Sequence, residues 1–533
     1  MGKLLKRILI PVGIVVVLVG GAYFLLSSGN TVPATDGTLT INSDEIQKRL
    51  IHGMADTKKN GQISLSLTEE DLNKALNGVL AALPSDAKGK IKGAHVDITD
   101  SSYDFAVDIE VPMFKTEIVL VTDLVDNINT DDPLQGSYEF DIKEAKVGRL
   151  GHLETIAFSI LGGFLNNDSI SSSFSSSGIH VTPDLSGRKI LYTKANLLAD
   201  LKTMLSSGDS DSSLAVGFLN QTVESNLLKA SFHETDSLKV VADLTSMKTN
   251  ADYCEEGKAS TLDIPAFRDK VASLMNAGIF DISKSNAATM MNYLLKGYAS
   301  LSDSEKTFIS PLDLSSVGIT NNETYKGARP SESETVKKAL GEGFLSVASE
   351  IAAHPSQDKI NLFRLGEDTI SGTLLESNVF GTSSVLYTKE EDNTYTLATI
   401  SLTNAYTEIL SEKMAVNLEL SVNGYPVTLV LVMKANDLDN LKVTFQVQDI
   451  YGGSILAKEE LKSSVFELLA SSLDGSNGMS FDKDKGELSI DMTSYYSAIP
   501  GLSTVAKADH FHLSSNGDKL VDDGYLQVYY SLS

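Results

Sequence analysis

One stretch of about 40 residues occurs twice in the chain and constrains the fold more than any other feature. Residues 106–148 return in altered form as residues 415–453, which begin 309 residues later. The apolar residues of the two copies alternate in step: Val107, Ile109 and Val111 correspond to Val416, Leu418 and Leu420, and Ile118 and Leu120 correspond to Val427 and Leu429. Such alternation is typical of β-strands with one buried face. We therefore predict a duplicated domain built on antiparallel strands.

The match between the copies extends in both directions. Upstream, a strand and a helix within residues 61–76 have counterparts within residues 358–375. Downstream, an apolar helix at 152–165 corresponds to residues 458–473, and each copy then ends in a pair of strands. This order predicts an α+β fold, in which a tandem repeat of two domains packs curved antiparallel sheets on helices.

The N-terminus carries a candidate membrane anchor. Residues 8–26 form an uncharged apolar run that follows Lys3, Lys6 and Arg7. At about 1.5 Å per residue, a helix of this length spans a hydrocarbon layer of about 30 Å. The basic residues predict a cytoplasmic N-terminus, with the bulk of the chain extracytoplasmic. A cleaved signal peptide is the alternative, but no clear A-x-A site follows, which favours a single-pass transmembrane helix in the cell membrane.

These patterns divide the 533 residues into six segments. The segment without a repeat partner, 249–331, has helical periodicity and connects the two copies. The predicted segments are a basic cytoplasmic tip at 1–7, the anchor at 8–26, a flexible stalk at 27–38, a first repeat domain at 39–248, the helical connector at 249–331 and a second repeat domain at 332–533.

Composition excludes several classes of function. The formal net charge of −26 argues against nucleic-acid binding, which needs clustered Lys and Arg. A single cysteine, Cys254, rules out an intramolecular disulfide and a cysteine-based zinc site. The sequence contains no nucleophile elbow, HExxH, P-loop or GxGxxG motif after a strand. We therefore predict a protein that is not an enzyme and needs no cofactor.

Two weak metal-site patterns are better explained by ordinary structure. His510 and His512 alternate on one predicted strand and supply at most half a metal site, since a third ligand is not identifiable. The acidic stretches 126–132 and 482–487 imitate part of a calcium loop without its full alternation of oxygen ligands. Both stretches lie where a hairpin turn is expected, so we predict surface histidines and turns, and no metal.

The layout resembles a known family. A basic N-terminus, one span, the helix LTEEDLNKAL, and FDIKEAKVGRLG leading into an apolar helix and GIHVTP are similar to the YpmS-type membrane-anchored proteins of Gram-positive bacteria. The likeness covers the first copy to about residue 248 and, more weakly, the second from about residue 332. The layout also resembles the tubular lipid-binding superfamily, in which a curved antiparallel sheet wraps a long helix. That resemblance implies an apolar ligand and supplies no catalytic residues.

The leading hypothesis is binding of lipid or another apolar envelope molecule between helix and sheet, with lipid transfer as its extension. The alternatives are a scaffold or interaction ectodomain with cell-envelope protein partners, and, for the same apolar residues, a packed core. The candidate ligand-binding residues are Val107, Ile109, Val111, Ile118, Leu120, Val416, Leu418, Leu420, Val427 and Leu429.

Overall fold

The structure is a computed structural model, and its described residues form two compact units. The first unit holds those up to Asp243 apart from Asn60, and the second holds those from Leu244 onward. The predicted tip, anchor and stalk lie outside the described residues, as does most of the predicted helix at 152–165. The described ranges are 48–49, 51–54, 60–70, 73, 77, 80, 90–111, 114–147, 155, 158, 182–184, 186–205, 221, 223–234, 237–254, 262–319, 333–354, 356–376, 383–473, 478–517 and 524–532.

The first unit contains two antiparallel sheets. One has the strand order β1-β9-β8, and the other, which curls into a half-barrel, has the order β2-β3-β4-β5-β7-β6. The sequence predicts three or four antiparallel strands between about residues 92 and 146, and the structure has four, β2 to β5. The elements are β1 (Gln62–Thr68), β2 (Ile91–Ile98), β3 (Tyr103–Val111), β4 (Phe114–Asn127), β5 (Ser137–Val147), β6 (Thr182–Asp184), β7 (Lys189–Thr193), α1 (Lys194–Leu205), β8 (Leu228–Glu234) and β9 (Ser237–Asp243).

The second unit begins with three helices and continues with two sheets. The helices are α2 (Ile264–Asn276), α3 (Lys284–Lys296) and α4 (Asp303–Ile309), as predicted for this part of the chain. The remaining elements are α5 (Ser333–Ala353), β10 (Lys359–Gly366), α6 (Glu367–Glu376), β11 (Ser383–Lys389), β12 (Tyr395–Leu410), β13 (Lys413–Val422), β14 (Tyr425–Ala435), β15 (Lys442–Gly452), β16 (Ile455–Leu456), α7 (Glu459–Leu473), β17 (Met479–Asp482), β18 (Glu487–Asp491), α8 (Thr493–Ser497), α9 (Leu502–Val505), β19 (Phe511–Asn516) and β20 (Tyr525–Ser531).

The strand orders of the second unit repeat those of the first. Its small sheet has the order β10-β20-β19, and its large sheet has the order β11-β12-β13-β14-β15-β18-β17. Each small sheet therefore pairs the unit's early strand with the last strand of the unit. The large sheet adds β11 at one edge and β16 beside β15. The helices α2 to α4 form a hydrophobic core that includes Val385 and Leu397 on β11 and β12.

Two β-bulges occupy the same places in both large sheets. One bulge interrupts the β2–β3 pairing after Ile91 in the first unit and the β12–β13 pairing after Leu402 in the second. The other interrupts the β4–β5 pairing after Val121 and the β14–β15 pairing after Val432. Both pairs of positions are 311 residues apart (402 − 91 and 432 − 121). Because a bulge bends its strand and increases the twist, the two sheets have the same bends at the same steps.

The strand register refines the match between the two copies. Sequence comparison aligns Val107 with Val416, whereas the bulges and the β3–β4 and β13–β14 hairpins align Val107 with Leu418. Val107 pairs with Ile118, and Leu418 pairs with Leu429. A shift of two residues keeps every side chain on the same face of the sheet, so the predicted faces are unchanged.

A second shared feature pairs backbone groups of β2, the edge strand of the first large sheet, and of the part of β12 that extends beyond its pairing with β11. In the first unit the helix after β1 places Glu69 and Asn73 beside β2, where Glu69 accepts a hydrogen bond from Ile98 N (3.0 Å). In the second unit α6 places Glu367 beside β12, where its Oε1 accepts from Ile409 N (2.5 Å). Ile98 and Ile409 are also 311 residues apart. We call each pair of side chains, Glu69 with Asn73 and Glu367 with Ser371, an edge clamp, because it satisfies backbone groups that lack a neighbouring strand.

Candidate functional site

In the first unit, the predicted lining residues lie on one face of the large sheet. Val107, Ile109 and Val111 alternate along β3, and Val107 pairs with Ile118 on β4. Ile118 is fully buried and Leu120 is 4% exposed, whereas Val107 is half-buried. The side chains of Ile109 and Val111 lie outside the described part of the chain. Ile118 and Leu120 are therefore core residues.

In the second unit, the corresponding face is more open. Leu418 pairs with Leu429 and Leu420 pairs with Val427, so the five predicted residues again share one face. Leu420 and Val427 are buried, but Val416, Leu418 and Leu429 are only half-buried. The half-buried residues are neighbours at the centre of the sheet rather than at its rim. We call these three residues the floor.

Two helices flank the floor. On one side α6 runs beside β12, where the Ser371 hydroxyl accepts a hydrogen bond from Thr407 N (2.9 Å). On the other side α7 packs on β17, and the Phe466 and Phe481 rings lie 5.3 Å apart. The register places Phe481 on the face that also carries Leu429. We call the floor together with its two flanking helices the apolar groove and take it as the candidate ligand site.

The opposite face of this sheet is polar and also buried. A polar face on an antiparallel sheet is usually solvated, so its burial is unusual. Tyr253 and Tyr451 pack against buried residues of β13 and β14, and Thr428 donates a hydrogen bond to Lys248 O (2.6 Å). The segment around residues 246–254 therefore covers it. The buried polar residues of β12 and β13 on this face are Thr399, Ser401, Asn404, Tyr406, Glu408, Asn417, Glu419 and Ser421.

Cys254 lies within this polar layer. Its thiol donates a hydrogen bond to Asn417 Oδ1 (3.2 Å), and Asn417 Nδ2 donates to Tyr253 O (2.8 Å). Burial raises the pKa of the Cys254 thiol, the carboxylates of Glu408 and Glu419 raise it further, and a hydrogen bond to Tyr406 opposes both. A neutral thiol with a raised pKa is a poor nucleophile, so this cysteine has a structural role.

The raised pKa of Cys254 predicts a loss of stability at alkaline pH. The folded state holds the thiol proton above its ordinary pKa of 9.0, so the contribution is complete below that pH and is lost as pH rises through the folded pKa. We expect the free energy of unfolding, measured by urea titration, to fall from about pH 9 upward, and to fall less steeply between pH 9 and 10 in Cys254→Ser. Parallel profiles for the two proteins would contradict this assignment.

The histidines and acidic stretches have local structural roles. His510 ends a 3-10 turn and β19 begins only at Phe511, so the prediction that both histidines alternate on one strand is wrong. His512 stacks on Tyr529 at 5.1 Å between ring centroids and lies 3.6 Å from Asp437. In the stretch 482–487 Asp482 accepts from the backbone of Asp484 and Lys485, as in a hairpin turn.

Sequence reasoning missed the edge clamps, although a signal was present. In both copies a glutamate directly follows the early strand, and a polar residue follows four positions later: Glu69 with Asn73, and Glu367 with Ser371. Residues four apart lie on the same side of a helix. Helix prediction relies on the stripe of apolar residues, so the polar residues on the other side of the helix are usually taken as solvent-exposed.

Comparisons with known proteins give no relative from which a function for this site could be inferred. The chain matches no protein-family model, no curated protein and no solved structure.

Proposed function

We propose that the second unit binds a lipid or another apolar envelope molecule in the apolar groove, without catalysis. The observation that carries this proposal is the half-burial of Val416, Leu418 and Leu429 at the centre of a sheet whose neighbouring residues are buried. An acyl chain that covered these half-buried side chains would remove more apolar surface from water, which stabilises the complex. Ile118 holds in the first unit the position that Leu429 holds in the second, and it is fully buried. We therefore assign the ligand to the second unit alone, so that each chain binds one.

We further propose that the two units arose by duplication and share the architecture of tubular lipid-binding proteins. The matching strand orders, the paired bulges and the two edge clamps support duplication. The curled half-barrel sheets of a mixed α+β fold support the likeness in architecture. Under this proposal residues 8–26 anchor the protein in the cell membrane, with both units outside the cytoplasm, and lipid transfer becomes a reasonable extension of binding. Those residues lie outside the described structure, and among the helices that the structure does describe none could span a membrane.

A scaffold role is the second candidate, and one observation favours it. Tyr298 and Val317, in the part of the chain that carries α2 to α4, are 37% and 39% exposed. Exposed apolar residues mark a contact surface for other proteins where they form one contiguous patch. In this case the partners would be proteins of the cell envelope, and the groove would be incidental.

Photolabelling with an acyl chain separates the two candidates. A fatty acid carrying a photoactivatable group is mixed with the protein and irradiated, and labelled peptides are identified by mass spectrometry. We expect labels on peptides of β13 and β14, at sites that include Val416, Leu418 and Leu429, and few labels on β3 and β4. Labels concentrated around Tyr298 and Val317 would contradict the groove and favour the scaffold.

A further inference from the structure

The edge clamp of the second unit is weaker than that of the first. Asn73 both donates to Val96 O and accepts from Val96 N, each at 2.7 Å. Ser371 accepts from Thr407 N, but its single hydroxyl proton is donated to Glu367 O (2.7 Å), a carbonyl of its own helix. A hydroxyl has one proton to donate, so Ser371 makes one hydrogen bond to its strand where Asn73 makes two.

The helix α6 that carries this clamp is intrinsically weak. It has ten residues, and Thr369, Ser371, Gly372 and Thr373 occupy its centre. Serine and threonine are modest helix formers, and glycine costs about 1 kcal/mol relative to alanine. Isolated helices of this length are marginal in water. The position of α6 therefore depends on its contacts with β12, α5 and β10.

The N-terminal end of α6 is held firmly. Glu367 N donates to Gly524 O (3.2 Å), and Ile409 N donates to the Glu367 carboxylate. A Cβ on Gly524 would clash with the carbonyl oxygen of Ile409, so the backbone of this loop approaches β12 as closely as glycine allows. One turn further along, the hydrogen bond from Thr407 N to Ser371 is the next link to the strand.

This second link lies next to the floor of the groove. Thr407 pairs with Val416, and Ala405 pairs with Leu418. Both β12 residues are buried, at 0% and 3% exposure, and they point to the same side as the floor. Movement of α6 away from β12 would add them to the floor and widen the groove.

We propose that α6 is a hinged lid on the groove, with Glu367 as its hinge and Ser371 as its latch. The ligand enters when the Ser371 hydrogen bond opens, and the lid closes against β12 afterwards. The first unit, with its double hydrogen bond at Asn73 and its buried Ile118, is the permanently closed counterpart. This inference rests on the proposed binding function and adds the route of entry.

The test uses the absence of tryptophan from the sequence. Phe466→Trp on α7 gives the full chain, held in lipid nanodiscs, one fluorophore on the wall opposite α6. Dibrominated stearic acid, whose bromines quench tryptophan at short range, is added by stopped flow. The rate of quenching is compared among this parent, the parent with Ser371→Asn and the parent with Ser371→Ala. The matched control is the parent with Asn73→Ser, the reciprocal change in the first unit.

We expect Ser371→Asn, which installs the double clamp, to slow quenching about fivefold, and Ser371→Ala to accelerate it by a similar factor. Asn73→Ser leaves the rate unchanged. Equal rates for the parent and its two Ser371 variants would overturn the lid while leaving binding intact. Absence of quenching in the parent would overturn the proposed function itself. If Ser371→Asn does not fold, Ser371→Ala, which only removes atoms, decides the question alone.

Discussion

Leu120→Asp is expected to unfold the first unit. The Leu120 side chain is 4% exposed on β4, and its cross-strand partner on β5, Ala145, is 1% exposed. A carboxylate placed there loses its hydration and gains no partner, a change that costs about 4 kcal/mol or more. That loss approaches the whole stability of a typical domain. Urea denaturation should show the loss, and hydrogen exchange should locate it in residues 114–127.

Leu429→Asp is the matched variant in the second unit, and it is expected to lose ligand without unfolding. Leu429 is half-buried, so its carboxylate keeps contact with water and the cost is about 1 to 2 kcal/mol. The same charge at the floor of the groove repels an acyl chain, because the chain cannot cover it without desolvating it. Equal destabilisation by Leu120→Asp and Leu429→Asp would indicate that the floor is ordinary core.

Gly453→Ala is expected to destabilise the second unit by about 3 kcal/mol or more. Gly453 has a φ of +57°, and an added Cβ would clash with Ser246 O and lie 2.5 Å from Met247 Cα. Ser454 N also donates to Ser246 O (3.1 Å), so the segment that covers the polar face is held at this point. Relief of the clash must move backbone, which is more costly than moving a side chain.

Gly318→Ala is the control for backbone conformation alone. Gly318 has a φ of +77°, and an added Cβ meets no atom within 4 Å. The left-handed conformation by itself costs an alanine about 1 to 2 kcal/mol. The shift in urea midpoint should therefore be clearly smaller than for Gly453→Ala. Equal shifts would show that close packing against Ser246 and Met247 contributes nothing.

Much of the fold follows from strand alternation. Residues such as Val416, Leu418 and Leu420 repeat every second position, which determined both the strand assignment and the face of each side chain. The alignment of the copies was less certain, because a shift of two residues preserves the alternation. Only hydrogen-bonded register and bulges distinguish Leu418 from Val416 as the partner of Val107.

Burial on both faces was harder to predict. The apolar character of 118–121 and 427–433 predicts strands that are buried on both faces. On β14 every residue of that stretch except Leu429 is buried, whereas on β4 Val119 and Val121 are half-buried. On β12 and β13, residues such as Asn417 and Glu419 suggest a solvated face. They are buried because the chain segment before α2 returns over them, and a contact so distant in sequence leaves no local pattern.

At the candidate site too, the local sequence pattern does not predict how deeply each residue is buried. The sequence predicts all ten residues as ligand-lining without distinguishing among them, because valine, isoleucine and leucine alternate in the same way in both repeats. Ile118 is fully buried and Leu429 is half-buried, although the two residues hold equivalent register positions. Whether apolar residues fill a core or line a groove is therefore a property of tertiary packing.

The most direct test of the groove is native mass spectrometry of the protein without its first 30 residues, combined with lipid extraction. We expect one bound lipid for each chain after gentle purification. Leu429→Asp should give the bare polypeptide mass while its circular dichroism spectrum stays unchanged. A bare polypeptide mass for the unsubstituted protein would contradict the account and would favour a packed ectodomain that contacts other envelope proteins.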